Sequence, residues 1–483
     1  MTELLASEVS KGYLIGPFSA SPFPIHRVNP IGIAEGKYSL KKRLIVDMSA
    51  PHDNLQHASL NSLIDKDTFS LKYVRIDDAI DIIKQLGKGC WMCKTDITDA
   101  FKQVPVHPSI WHLQGIQWQR QLYYYTRLVF GSRSSPKIFD DLASVICWIA
   151  QRQYGIAYIL HLLDDFICFA DNVQVGHYNM AALCQVFSDL NIPLSQPKTV
   201  GPVALIEYLG ITLDSVRMRA SLPVAKVNRI VDIIDRLFDM DVITKRDLLV
   251  VLGHLNFAMR VIRPGRSFIS YLLKVAHGRP NLTDLVFLTE ECRLDLSMWR
   301  HFLQSWNGVS LFLEDVIASP DFELFTDAAA SVGHGGFFQG RWFAERWPTE
   351  LFIGTVTAGD MSIALMELYP IVVAAVVWGR EWSKKSIVFH CDNQATVFII
   401  NKGRSPSAFI MKLIRKLTLT AAIYNFVFHA QHVPGKLNVI SDALSRQQIQ
   451  KFRRLVPTAR LVPTPCPPIS HLTFPPYQPE PAR

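Results

Sequence analysis

The chain is short of the features that would send it into a membrane or out of a cell. No apolar run approaches the ~20 residues needed to span a bilayer. The longest candidate, Leu368 to Trp378, directly follows Glu367 and reads as a buried helix. The opening Met-Thr-Glu-Leu-Leu-Ala-Ser-Glu has neither a basic start nor a continuous apolar core, so no secretory signal is expected. Cysteine is scarce and scattered, with eight in 483 residues, which points to reduced intracellular thiols rather than a disulfide framework. Cytoplasm and nucleus are not distinguished. Cys90 and Cys93 form one Cys-x-x-Cys without a second pair and read as strand residues, not zinc ligands. Charged residues are only 19% of the chain, yet the balance is +8 with a pI near 9.0, which favours a polyanionic partner. An apolar share of 49% suffices for several cores.

Within that frame one stretch stands out, Ile159-Leu-His-Leu-Leu-Asp-Asp-Phe-Ile-Cys-Phe-Ala170. Two apolar runs flank adjacent carboxylates, so Asp164 and Asp165 are expected at the tip of a hairpin between buried strands. Neighbouring like charges repel, and a site that keeps both ionised usually holds a cation. Taken alone, the pair reads more readily as a solvated turn, because Asp is a common turn residue.

Other segments add to it. Residues 11–36 are rich in Gly, Pro and Ser and should be irregular. Ser39 to Asp47 reads as a strand carrying Lys41, Lys42 and Arg43, where Arg43 could grip phosphate in bidentate fashion. Cys90 to Ile97 is a strand that delivers Asp96 at its end, with Phe101 five residues on as a possible wall. Asp96 could equally be a helix N-cap and Phe101 plain core. Phe130-Gly131-Ser-Arg-Ser-Ser-Pro136 is a turn opening a helix, where Gly131 would let backbone approach a ligand. A helix near Tyr178 to Leu190, Lys198, and a strand from Ile206 to Leu213 follow. Residues 223–275 are helical, with Thr244 as a cap and Pro264-Gly265 as a stop.

From Asp321 the pattern becomes a compact α/β unit. Glu323 to Asp327 and Ser386 to Asp392 are strands ending in Asp. Gly333 to Gly336 reads as a turn, Arg341 to Phe343 as a strand, and Ser362 to Gly379 as a helix bearing Glu367. Asn425 to His432 is a strand, and Asn438 to Arg446 a short helix bearing Asp442. After Lys451 the chain is basic, then Pro-rich, with nine prolines between Val456 and Arg483, and should be extended and poorly ordered.

Taken together, Asp96 to Phe101, Phe130 to Pro136, Leu162-Leu-Asp-Asp-Phe166 and Tyr208-Leu-Gly210 resemble retroelement reverse transcriptases in order and spacing. The Thr326-Asp, Glu367-Leu-Tyr, Cys391-Asp-Asn and Ser441-Asp-Ala-Leu-Ser-Arg446 set resembles their appended RNase H domain. Met366-Glu-Leu-Tyr-Pro-Ile371, Phe389-His-Cys-Asp-Asn393 and His432-Val-Pro-Gly435 are most similar to DIRS-type (tyrosine-recombinase) retrotransposons, with gypsy-type elements next. The resemblance implies an α+β and α/β multidomain chain, a right-hand polymerase followed by a connection and an RNase H-like α/β domain. The boundaries would be fingers and palm 1–222, thumb-like helices 223–275, connection 276–320, RNase H-like domain 321–446 and a tail 447–483.

It implies RNA- and DNA-directed DNA synthesis with cleavage of RNA in RNA–DNA hybrids. Asp96, Asp164 and Asp165 would be the polymerase metal ligands, and Asp327, Glu367, Asp392 and Asp442 the nuclease set. Each set would take two Mg2+, for which Mn2+ can substitute. Arg43 would meet the incoming triphosphate, Phe101 would reject a ribose 2′-OH, and Lys198 would assist pyrophosphate departure. Tyr208, Leu209 and Gly210 would grip the primer. Partners would be an RNA template, a DNA primer, the hybrid and dNTPs, with no membrane, and a recombinase among element-encoded proteins. No His is assigned to the nuclease site, because Lys436 follows Val-Pro-Gly. Lys226, Arg229 and Lys245 should face the hybrid from the thumb. A decayed or co-opted protein that binds nucleic acid without catalysis is the rival, and retention of all seven carboxylates speaks against it.

Overall fold

The computed structural model describes residues 1–35, 42–52, 56–305, 310–311, 323–350, 362–383 and 385–473. Lys41, Ser319-Pro320 and residues 474–483 of the tail lie outside them. Contacts group the chain into two units, Met1–Leu209 with Leu213–Met218, and Gly210–Thr212 with Arg219–Arg483.

The first unit is organised on a four-stranded antiparallel sheet of β1 (Trp91–Asp96), β2 (Tyr158–Leu162), β3 (Asp165–Ala170) and β4 (Val200–Val203), in the order β4-β1-β3-β2. Helices Ser135–Tyr154 and Val173–Asp189 pack against it. The first begins with Pro136, whose fixed φ suits an opening turn. It buries Phe139, Ala143, Ile146 and Ala150, spaced at four, three and four, and stops at Gly155 in the left-handed region (φ 68°). Those side chains meet Phe166, Leu183 and Phe187 in one core, where truncating a ring to Ala would cost ~3–5 kcal/mol.

The stretch expected to be irregular between residues 11 and 36 holds strands Leu14–Phe18, Val28–Asn29 and Ile31–Glu35. Leu14–Phe18 pairs with Gln121–Tyr125, and Ile31–Glu35 with Lys42–Val46. Its Gly and Pro residues masked the strands, and the partners of Leu14–Phe18 and Val28–Asn29 lie far along the chain. The strand read as Ile206 to Leu213 is two, Leu205–Tyr208 and Ile211–Asp214, broken where Leu209 (φ 48°) and Gly210 (φ 74°) both turn left-handed.

In the second unit, helices Val224–Phe238, Lys245–Ala258 and Ser270–Ala276 precede Glu290–Ser305. Thr244 Oγ1 accepts from Asp247 N at 3.2 Å, so it caps its helix as expected. That helix ends at Ala258, before Pro264. A five-stranded sheet follows, of β5 (Glu323–Ala329), β6 (Gly333–Phe338), β7 (Arg341–Arg346), β8 (Ser386–Cys391) and β9 (Val427–His432), in the order β7-β6-β5-β8-β9. β5, β6 and β7 are antiparallel neighbours, while β5, β8 and β9 run parallel. Gly333 to Gly336 is therefore strand and not turn. Its glycines serve close approach: a Cβ on Gly335 would sit 2.5 Å from Leu444 Cβ, and one on Gly336 2.5 Å from the Phe343 ring.

Helix Ile363–Trp378 is apolar on every side and buried against helix Ala408–Tyr424. With the turn to Trp382 it forms a 20-residue apolar stretch, long enough by composition to cross a bilayer and longer than the run read from the sequence. In this fold it is the centre of the core. Ser362 Oγ caps it by accepting from Leu365 N at 3.2 Å, which fixes where its second turn, and Glu367, fall.

The tail is the main correction. Residues 447–473 are ordered on the second sheet: helix Ile449–Leu455 buries Phe452, and Leu472 enters the main core. Arg460 N donates to Gly340 O at 2.8 Å, and Thr464 N to Trp342 O at 2.7 Å. β7 is the sheet's edge, with carbonyls to satisfy, and an extended Pro-containing segment can cover such an edge wherever a non-Pro N–H falls opposite.

Two candidate carboxylate centres

The first centre is built by strand register. Asp96 ends β1 directly opposite Asp165, which opens β3, and Asp164 sits between β2 and β3 in a two-residue turn. Leu163, the other turn residue, holds φ 53°. A left-handed backbone costs a non-glycine residue roughly 1–2 kcal/mol, so the turn is strained at the point that presents Asp164. Ile97 N donates to Asp164 O at 3.2 Å and Ser195 N to Asp96 O at 2.8 Å, tying both backbones down.

Three carboxylates thus converge in a largely buried place. Burial pushes Asp165 up to about 6, with Lys94 opposing and Asp164 and Asp96 adding to the rise. Asp164 is raised by burial first and by Asp96 second, while Lys198 and Arg43 pull it down. Lys198 Nζ lies 2.7 Å from Asp96 Oδ2. Among the described residues, one cation in direct contact faces three carboxylates, which leaves a negative hollow of hard oxygen donors, the chemistry that suits a divalent cation.

Around it, the Arg43 guanidinium stands 5.8 Å from the Phe130 ring centre. Phe130 lies 4.8 Å from Phe101, which is also 5.6 Å from Phe139 and only 8% exposed. Gly131 holds φ 117°, and a Cβ there would fall 1.8 Å from Val46 O, so no other residue fits. Asn61, which sequence reasoning missed, fastens that turn. Its Nδ2 donates to Gly131 O at 2.8 Å, and its Oδ1 accepts from Arg133 N at 2.8 Å. Nothing local marks Asn61, because its partners lie seventy residues away. Tyr208 is fully buried, and its hydroxyl has no hydrogen-bond partner among the described residues. Gly210 O accepts from Lys226 Nζ at 2.8 Å, and that ammonium lies 4.4 Å from the Phe257 ring centre. Lys245 Nζ donates to Arg279 O. Two of the thumb cations expected to face a hybrid are therefore engaged with the fold.

The second centre gathers side chains from four elements. Asp327 comes from β5, which continues two residues past it, and Asp392 follows the end of the parallel neighbour β8. Glu367 comes from the second turn of its helix, and Asp442 from helix Val439–Ser445. Burial, then Asp327 and Asp392, push Glu367 up to about 9. Asp327 is pushed up to about 6, mainly by burial, although Ser445 Oγ donates to its Oδ2 at 2.5 Å. Asn438 Nδ2 donates to Thr326 O at 2.9 Å beside it. Asp442 Oδ1 accepts from Arg446 Nε at 2.5 Å, and Lys451 Nζ is 3.6 Å from Oδ2. Donor atoms of Glu367, Cys391 and Asp392 lie within 4.8 Å of one another. A carboxyl that burial and two neighbouring carboxylates push up to about 9 suits a place where a cation would offset the crowding. His432 Nε2 lies 3.1 Å from the backbone oxygen of Asp392. Ser445 and Arg446 stood in a motif read from the sequence, but their contacts did not.

Residues 27–213 match the family model described as reverse transcriptase (RNA-dependent DNA polymerase). That stretch is a reverse transcriptase domain. Asp96, Asp164 and Asp165, together with Arg43, Phe101, Gly131, Lys198, Tyr208, Leu209 and Gly210, fall inside it, whereas the second centre lies beyond its end. The chain as a whole mixes helices and sheets in two units. It is similar to the retrovirus-related Pol polyproteins of the transposons opus and gypsy of Drosophila melanogaster, 22% identical over 405 residues and 24% over 388. Those matches cover 80% and 77% of this chain but 37% and 34% of the polyproteins, so the chain spans about a third of the length of these relatives. Among solved structures, the foamy viral protease-reverse transcriptase in complex with dsDNA overlays with a TM-score of 0.48 at 14% identity, covering 89% of this chain and 82% of that one.

Proposed function

We propose that the chain copies RNA, and DNA, into DNA at the first centre and cuts the RNA strand of RNA–DNA hybrids at the second. The observation that carries the reading is the Asp96, Asp164 and Asp165 cluster, held in register at the tip of a strained hairpin inside the reverse transcriptase domain. Phosphoryl transfer asks little covalent help of a protein and much positioning and charge. Asp96, Asp164 and Asp165 would hold Mg2+ in one centre, and Asp327, Glu367, Asp392 and Asp442 in the other, where the ions supply positive charge for the phosphoryl oxygens. Lys198, already on Asp96, is positioned to offer a proton or a charge to departing pyrophosphate. Arg43 meets the triphosphate, Phe101 occupies the space of a 2′-OH, and the Tyr208-Leu209-Gly210 turn holds the primer. Ser445 and Asn438 keep Asp327 oriented.

The wording of Met366 to Ile371 and Phe389 to Asn393 supports a DIRS-type origin, in which an element-encoded recombinase is the natural partner and the working site is intracellular. Primer extension on an RNA template with Mg2+, run beside Asp164→Asn, tests the central reading. Extension by the parent chain and none by the variant is the expected result. Hybrid binding without extension by either chain would favour a co-opted binding protein instead.

A further inference from the structure

The family match begins at residue 27, and helix Thr2–Ser10 lies before it. Two charges at that helix's C-terminal end, Glu8 and Lys11, reach a single short segment of the reverse transcriptase domain. Lys11 Nζ lies 2.7 Å from Asp99 Oδ2, and Glu8 Oε2 lies 3.4 Å from Lys102 Nζ. Asp99 is the cap, and Lys102 a member, of the one-turn helix Ala100–Gln103. The signs are crossed, acid to base and base to acid, so the two contacts fix both the position and the direction of the turn.

The turn has reason to be held. Asp99 adopts φ 50° and ψ 45°, a left-handed backbone that Asp tolerates better than most residues but that its surroundings must impose. Lys102 is only 5% exposed, with its ammonium 3.7 Å from the Tyr125 ring centre. Burial pushes it down to about 8, and Glu8 and Asp99 are the carboxylates that keep it charged. Between the two clamped residues lies Phe101, its ring against Phe130 and Phe139. The helix itself is anchored apolarly, by Leu5 in a core with Leu14, Leu44 and Val46. Lys11 is about half exposed, and an ion pair of that exposure adds little to folding. The Lys11–Asp99 pair is therefore surplus to anchoring and acts on the turn.

We propose that Glu8 and Lys11 are positioning residues of the polymerase centre, holding the Asp99–Lys102 turn and so setting how far the Phe101 ring reaches towards the sugar of the incoming nucleotide. This rests on the reading of Phe101 as the group that excludes a 2′-OH. A residue that only stabilised the fold would scale incorporation of every nucleotide alike. A residue that positions the ring changes the ratio between ribonucleotide and deoxyribonucleotide.

The experiment measures single-nucleotide incorporation by the full chain, with a dNTP and its matching rNTP. Lys11→Met and Glu8→Gln should each raise relative ribonucleotide efficiency about threefold or more, a factor within reach of one partly exposed ion pair. Deoxyribonucleotide kcat should stay nearly constant, and Lys11→Arg should preserve the parent ratio. Asp99→Asn, which keeps a residue tolerant of the left-handed backbone, should match Lys11→Met, and combining the two should add nothing. If Phe101→Ala relaxes discrimination while Glu8→Gln, Lys11→Met and Asp99→Asn leave it unchanged, the helix does not position the ring and the proposal fails alone. If Phe101→Ala itself leaves the ratio unchanged, the sugar-excluding reading falls, and the proposal with it.

Discussion

His334 shows how far one side chain can depart from its usual chemistry. It sits on β6 at 1% exposure, its ring 4.9 Å from Tyr369, 5.2 Å from Trp347 and 5.8 Å from Phe343. Burial pushes its pKa down to about 3 from an ordinary value near 6.5. Below pH 6.5 the unfolded chain takes up a proton that the folded one refuses. The stability this residue carries at neutral pH is thus lost as pH falls from 6.5 towards 3, at about 1.4 kcal/mol per pH unit. His334→Leu, similar in volume and without a titrating nitrogen, should flatten the urea-unfolding free energy by one proton's slope over that window. Equal slopes for parent and variant would mean that His334 titrates normally, whatever its burial.

The carboxylates were legible at this scale because each sits beside a strand end or in a short motif that local sequence contains. Asn61, Asn438 and Ser445 were not, although each contributes a hydrogen bond to a site. Their partners lie 70 to 118 residues away in the chain, and no periodicity reports such a meeting.

Among elements, the joint between helices Glu290–Ser305 and Ala408–Tyr424 carries a fully buried ion pair. Asp295 and Arg415 meet at 2.6 Å, with side chains 0% and 1% exposed. Burial holds the Asp295 carboxyl up at about 6 even with the guanidinium in contact, so desolvation outweighs attraction. Such pairs contribute little net stability while intact and cost much when halved. Arg415→Met should destabilise by ~3–5 kcal/mol in urea, and adding Asp295→Leu should recover most of it. A double variant as unstable as the single one would show that the site needs its ions for shape. The sequence marked this region as a mixed connection ahead of a separate domain, because neither residue's pattern hints at a partner 120 positions away. For the same reason the Pro-rich tail was read as loose. Composition reports that a segment is extended, but not that an edge strand is waiting for it. Strands and helices with strong local periodicity, such as β1, β8 and the Glu367 helix, were found nearly to the residue.

At the scale of the whole chain, the two centres share no element. Asp96, Asp164 and Asp165 belong wholly to the unit Met1–Leu209, and Asp327, Glu367, Asp392 and Asp442 wholly to the unit that ends the chain. Each set has its own supports: Lys198, Ile97 N and Ser195 N in one, Ser445, Asn438 and Arg446 in the other. Chemistry at either centre should then survive loss of the other. Asp164→Asn should abolish primer extension and leave hybrid cleavage within about twofold, a change of ~0.4 kcal/mol in barrier. Asp392→Asn should do the reverse. Both variants should bind a hybrid as the parent does, since a chain of net charge +8 holds a polyanion through many phosphates and not through the carboxylates. Binding, extension and cleavage measured on one preparation separate the possibilities. If either substitution removes both activities while hybrid affinity and circular dichroism stay unchanged, the centres are coupled, and the division drawn from the contacts does not govern function.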